Sequence, residues 1–116
     1  MSKYVDVYLL PIREDKVEAY RQMAEKAGQV FRRHGALSYR EYIASDLNVK
    51  EVLPFPQVIH LEEGETLIYA AVGFESEEHR NEVMKKVYED PGMECPETPF
   101  DPKRMVYGGF KILVEA

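Results

Sequence analysis

Apolar residues along this chain switch between two spacings, and the order of the switches limits the folds open to it. Over residues 4–10, Val5, Val7 and Leu9 alternate with Tyr4, Asp6 and Tyr8, the period of a half-buried strand. Pro11 predicts the end of that strand. From about Glu14 to His34 the spacing lengthens. Val17, Tyr20, Ala24, Ala27 and Phe31 form one helical stripe, widened by Met23 and Val30. Asp15 and Glu18 have the spacing of a capping box, and Gly35 supplies a C-terminal stop. Residues 37–44 read as a second strand. Residues 55–61 predict a short extra strand, placed at an edge by Pro54 and Pro56. Residues 66–74 read as a central apolar strand. Ser76 caps a second helix to about Glu89, with Val83, Met84, Val87 and Tyr88 on one face. Asp90-Pro91-Gly92 breaks it, and a proline-rich loop leads to a last strand over 104–114.

The resulting order, β-α-β-(β)-β-α-β, predicts a single α+β domain over 1–116. It is a ferredoxin-like antiparallel sheet with both helices on one face. Sorting the strands by parity assigns Val5, Val7, Leu9, Ile68, Ala70, Val72, Phe74, Val106, Phe110, Ile112 and Val114 to the helix-covered face. Tyr4, Asp6, Tyr8, Tyr69, Ala71, Tyr107, Gly109, Lys111 and Leu113 are then expected on the open face. Tyrosine packs its ring while its hydroxyl hydrogen-bonds, so that density suggests a surface covered by something. The economical cover is a second copy, giving a homodimeric α/β barrel. The plainer reading is that tyrosine is a good strand former.

The net charge of −6 argues against a nucleic-acid partner, whose affinity comes mostly from neutralised phosphates. Arg32-Arg33-His34 complements the C-terminal end of the first helix. No apolar run reaches the roughly 20 residues that span a bilayer, so no membrane partner is expected. One cysteine, Cys95, and an N-terminus without a long apolar stretch predict a cytoplasmic protein.

Candidate chemistry is sparse. His34 is a possible general base near the helix–sheet gap, against its ordinary use as a partner of the helix end. Asp6 lies mid-strand and needs a partner if buried; it is a candidate catalytic acid, against a structural ion pair with Lys111, which has matching parity, or a tyrosine hydrogen bond. Glu41 poses the same question on the second strand. Asp101 and Arg104 flank Pro102-Lys103, either as a salt bridge setting the entry of the last strand or as an anion-binding lip. Cys95 lies between Glu94 and Glu97, which disfavours a thiolate. Three scattered histidines and one cysteine offer no metal spacing. No glycine-rich phosphate loop, nucleophile elbow or HExxH is present, so no cofactor is expected. A ligand pocket between helices and sheet would be lined by Phe31, His34, Tyr69 and Tyr107, with Arg104 nearby.

Signatures along nearly the whole chain resemble a known family: Tyr4-Val5-Asp6, Ala19-Tyr20, Gly35-Ala36-Leu37, Glu41, Ala44-Ser45-Asp46, Phe55, Arg80, Asp90-Pro91, Pro99-Phe100-Asp101, Arg104-Met105 and Tyr107-Gly108-Gly109-Phe110. The chain is similar to the YbaA-like family of uncharacterised bacterial proteins, within the dimeric α/β barrel superfamily. It departs from that pattern at Pro102 and Ala71, where glycine and tryptophan are usual. The resemblance implies the fold and the dimer and no particular activity. Relatives on the same fold include cofactor-free monooxygenases and dechlorinating or isomerising enzymes, an analogy of fold alone. Two functions follow as expectations: a small-molecule binder or cofactor-free enzyme with a cavity, or a non-catalytic interaction module with a filled core.

Overall fold

A computed structural model of the chain describes residues 2–95 and 97–116. Among them, the elements run β1 (Tyr4–Arg13), α1 (Val17–Arg33), β2 (Ser38–Ile43), β3 (Glu65–Phe74), α2 (Glu77–Glu89) and β4 (Val106–Lys111). The strands form one sheet in the order β2-β3-β1-β4, and each neighbouring pair is antiparallel. The chain is therefore α+β, with β3 and β1 at the centre.

Several boundaries differ from expectation. β1 continues through Pro11 to Arg13, with Pro11 opposite Leu67. The β4 ladder ends at Leu9 opposite Val106. Beyond it β1 is an edge on that side, where a missing N–H costs nothing. No strand forms over 55–61, where Phe55–Gln57 makes a 3₁₀ turn instead. Pro54 and Pro56 withhold donors from any ladder, and proline suits a first helical turn. The expected capping box is absent. A 3₁₀ turn, Glu14–Lys16, precedes α1, and the Asp15 carboxylate takes two hydrogen bonds from Arg13, at 3.1 and 3.0 Å. Ser76 does cap α2, its Oγ accepting from the His79 N–H at 3.0 Å. Gly35 ends α1 at φ +112°, a conformation that favours glycine.

Both helices pack on the same face. Val30 and Phe31 of α1 and Val83 and Val87 of α2 share a core cluster with Tyr4, Val72 and Phe74. A second cluster joins Tyr20 and Ala24 to Leu10, Ile12 and Ile68. The parity expected for β3 holds. For β1 and β4 it is reversed, so that Tyr4, Asp6, Tyr8 and Tyr107 stand on the helix side. The register explains why. Tyr4, Asp6, Tyr8 and Leu10 lie opposite Phe74, Val72, Ala70 and Ile68, and directly opposed residues share a face. Leu10 and Ile12 carry the apolar signal of that face, and ending the strand at Pro11 cuts it short. The other face presents Val5, Val7, Leu9, Tyr69, Ala71, Val106 and Phe110. Tyr69, Val106 and Phe110 are exposed. Ala71 also lies there, opposite Val7 and Arg40, so a larger residue at 71 would not line the helix–sheet gap. No helix among the described residues is long and apolar enough to cross a membrane.

Candidate functional site

Small residues leave room between α1 and the edge strand β2. Gly28 brings the helix so close to Tyr39 that a Cβ would stand 2.8 Å from the tyrosine Cδ1. On β2, Glu41 lies opposite Ala70, a short side chain that leaves the carboxylate space above the sheet. Tyr20, buried on α1, and Tyr39, half-buried on β2, both reach Glu41. The Tyr20 hydroxyl donates to Oε1 and the Tyr39 hydroxyl to Oε2. Burial comes first, with the Glu41 carboxylate beside it, in pushing both phenols far above the ordinary tyrosine range. They keep their protons and donate.

This group stands between two spaces. An outer groove of about 580 Å³ runs along α1 and β2, from Val17 and Arg21 past Gln29 and Arg32 to Ile43. An inner cavity of about 190 Å³ lies between helices and sheet, and its wall includes Tyr8, Phe31, Met23, Met84, Met93 and Met105. Tyr20, Tyr39 and Glu41 line both. The inner wall is apolar apart from the hydroxyls of Tyr8, Tyr20, Tyr39 and Tyr88 and the Glu41 carboxylate, whereas the outer groove also carries Arg21, Glu25, Gln29 and Arg32. The inner arrangement is suited to holding a small molecule by its shape and orienting it by few polar contacts.

The residues singled out from the sequence are dispersed. Phe31 lines the inner cavity and packs its ring 5.5 Å from that of Tyr39. Tyr69 stands on the opposite face of the sheet, beside Tyr42 at 5.6 Å. His34 follows α1 and meets Asp90 Oδ2 at 2.7 Å, where Arg33 also donates at 2.9 Å. Arg33, the Gly92 N–H and His34 hold the Asp90 carboxyl well below the usual range. Together they tie α1 to the loop after α2. Arg104 does not pair with Asp101. It donates to both oxygens of Glu65, at 2.7 and 2.9 Å, and to the His60 carbonyl at 2.7 Å. Asp101 instead accepts from the Lys103 N–H at 3.0 Å. Cys95 is exposed and donates to the Glu97 carbonyl.

Asp6 is fully buried, and its partner is Arg80 of α2, whose Nη1 donates to Oδ1 at 2.8 Å. Lys111 lies opposite Tyr4, two pairs along the ladder. Arg80 also donates to the Tyr107 hydroxyl and sits 5.1 Å from the centre of the Tyr4 ring. Asp6 Oδ2 has no hydrogen-bond partner among the described residues. Burial raises the Asp6 carboxyl above its ordinary value, and Arg80 offsets part of that. The Tyr107 phenol is pushed up to about 12 by burial and by Asp6.

Glu41 is legible in the sequence as a mid-strand carboxylate, but its two tyrosine partners are not. Tyr20 is 21 positions away on another element, a separation without a spacing signal. Arg80 stood out only as a family signature, because nothing in a helical charge pattern shows which strand residue it will meet. Among the described residues, no group of three or more His, Cys, Asp or Glu could hold a metal ion.

A four-stranded antiparallel sheet under two helices, with a largely apolar pocket, open to solvent, beside a tyrosine-bracketed carboxylate, defines an α+β protein. Residues 3–102 match the family described as "Protein of unknown function (DUF1428)". The chain belongs to that family, which its likeness to YbaA also marks. It is 39% identical over 115 residues to the uncharacterized protein YbaA of Escherichia coli strain K12, covering 97% of this chain and 98% of that protein. The same identity and coverage relate it to YbaA of Shigella flexneri. Among solved structures, the de novo designed protein Foldit4 superposes with a TM-score of 0.45 at 11% identity, covering 97% of this chain and 98% of that one. So loose a superposition carries no argument about function.

Proposed function

We propose that the protein is a small-molecule binder of the ferredoxin-like class, working as a homodimer with its ligand site in the helix–sheet cavity. The order β2-β3-β1-β4 with helical crossovers from β1 to β2 and from β3 to β4 matches the split βαβ pattern of that class. The open sheet face supports the dimer. Val5, Val7, Leu9, Ala71, Val106 and Phe110 form a continuous apolar surface, which a second copy would remove from water. One free cysteine and the absence of an apolar crossing helix among the described residues agree with a cytoplasmic setting.

The observation that carries the ligand reading is the Glu41 carboxylate, bracketed by Tyr20 and Tyr39, in a cavity walled mostly by apolar side chains. A filled core would have packed this volume, as interiors normally do. Phe31 and Tyr8 belong to the ligand wall, while His34, Arg104 and the Asp6–Arg80 pair are architectural. The test is a thermal-shift screen of small apolar compounds against the wild-type protein and Glu41→Gln. A ligand that binds only the folded state raises the melting temperature. Hits are expected on the wild type, with shifts reduced in Glu41→Gln. A library without any hit would count for the interaction-module reading instead.

A further inference from the structure

The hydrogen-bond inventory of the cavity narrows the ligand class. A phenol has one O–H to give. Tyr20 and Tyr39 each spend theirs on Glu41. The cluster therefore turns only acceptors toward the cavity: the remaining lone pairs of the carboxylate and of the two phenol oxygens. A ligand that meets it must bring a donor, and an acid placed there would set one carboxylate against another. The other polar side chain deep on the inner wall, Tyr8, makes no side-chain hydrogen bond among the described residues, and burial lifts its phenol well above the ordinary range. It is a neutral hydroxyl that suits either kind of partner.

Size and lining point to a ring. An apolar cavity of about 150 Å³ takes benzene, and the inner cavity is about 190 Å³. Its wall carries Met23, Met84, Met93 and Met105 with Phe31, Phe100 and Tyr88. Flexible, polarisable thioethers beside aromatic rings mould to flat ligands. At the outer mouth the cations are engaged. Arg21 donates to Glu18 at 2.9 Å and to Glu25 at 3.2 Å, and Arg32 donates to the Leu37 carbonyl. The groove is thus not arranged to gather anions.

We infer that the cavity takes a single-ring aromatic compound whose head group donates a hydrogen bond to Glu41, a phenol or an aromatic amine, and that it rejects the matching carboxylic acid. This rests on the ligand-binding reading above.

Three probes built on one tolyl ring separate the two claims: p-cresol, toluene and p-toluate, titrated at pH 7 into the purified protein by ligand-observed NMR. p-Cresol is expected to bind about tenfold or more tighter than toluene, as a hydrogen bond to a charged acceptor allows. p-Toluate is expected not to bind. In Glu41→Gln the advantage of p-cresol over toluene should shrink to less than about threefold. Tyr39→Phe frees Glu41 Oε2 without touching the carboxylate, so there the advantage should grow, and this variant decides the matter if Glu41→Gln fails to fold. Toluene or p-toluate binding as tightly as p-cresol would overturn the donor inference and leave the cavity reading standing. An advantage unchanged in Glu41→Gln, or unchanged in Tyr39→Phe, would overturn it as well. Failure of all three probes to bind would remove both.

Discussion

Gly108 and Gly109 are neighbours in β4, yet their surroundings differ. Gly109 lies opposite Asp6 on the helix side, under the Tyr4 ring, and a Cβ there would stand 2.9 Å from Tyr4 Cζ. The nearest atom to a Cβ at Gly108 is 3.5 Å away. Gly109→Ala must displace a core tyrosine and is expected to cost about 1–3 kcal/mol, whereas Gly108→Ala should stay within about 0.5 kcal/mol. Urea denaturation distinguishes them, and equal losses would refute the assignment of faces. Arg80→Ala leaves the Asp6 carboxylate buried without its cation and is expected to cost on the order of 3 kcal/mol at pH 7. The Asp6 carboxyl is raised above 3.8 in the folded state. Its contribution is therefore fully present below 3.8 and is lost as pH rises through the folded value. Replacing it in Asp6→Asn should flatten that decline in a series of melts from pH 3 upward.

At the scale of elements, two ion-paired junctions hold the ends of the proline-rich loop. Asp90 with Arg33 and His34 fastens its start, and Arg104 with Glu65 fastens its end. Hydrogen bonds from Arg104 lower the Glu65 carboxyl from 4.5 to about 2. That contribution is present above pH 4.5 and is lost as pH falls toward 2. Arg104→Gln should make the acid limb of the stability profile shallower, read as a smaller fall in melting temperature between pH 5 and pH 3. The junction of α1 and β2 is set by Gly28. A methyl group there meets the Tyr39 ring at 2.8 Å, so Gly28→Ala should push that ring and weaken both stability and any cavity ligand, seen together in thermal shift. Both helices were legible as stripes, because Val17, Tyr20, Ala24 and Phe31 of α1 and Val83 and Val87 of α2 recur with the helical period. Strand ends were less so. Pro11 reads as a stop until one knows that β4 leaves that side of β1 unpaired. Glu41 could be suspected from its place in a strand. Its meaning depends on Tyr20 of another element, which no local period reports.

For the molecule as a whole, the open face is the feature left unexplained by one chain. Phe110 is 59% exposed and Val106 49%, a cost in water that a second copy would remove. Sedimentation at micromolar concentration is expected to give twice the 13.5 kDa of the single chain. Phe110→Glu places a charge on the edge-strand part of that face and should halve the mass while leaving the far-UV circular dichroism unchanged. A single-chain mass for the wild type would remove the dimer.

The sequence by itself determined the α+β class, the two helices with their stops at Gly35 and Asp90, the start of α2 at Ser76, and the family. Each rests on residues close together in the chain, where periodicity and capping act. Only the tertiary structure decided which face of β1 and β4 is covered, that Asp6 meets Arg80 and not Lys111, that Arg104 meets Glu65 and not Asp101, and that Tyr20, Tyr39 and Glu41 converge on one cavity. Alternation says that a strand has two sides. Which side the helices cover is set by the register with β3, where Ile68, Ala70, Val72 and Phe74 are all buried and draw the opposed residues of β1 in with them.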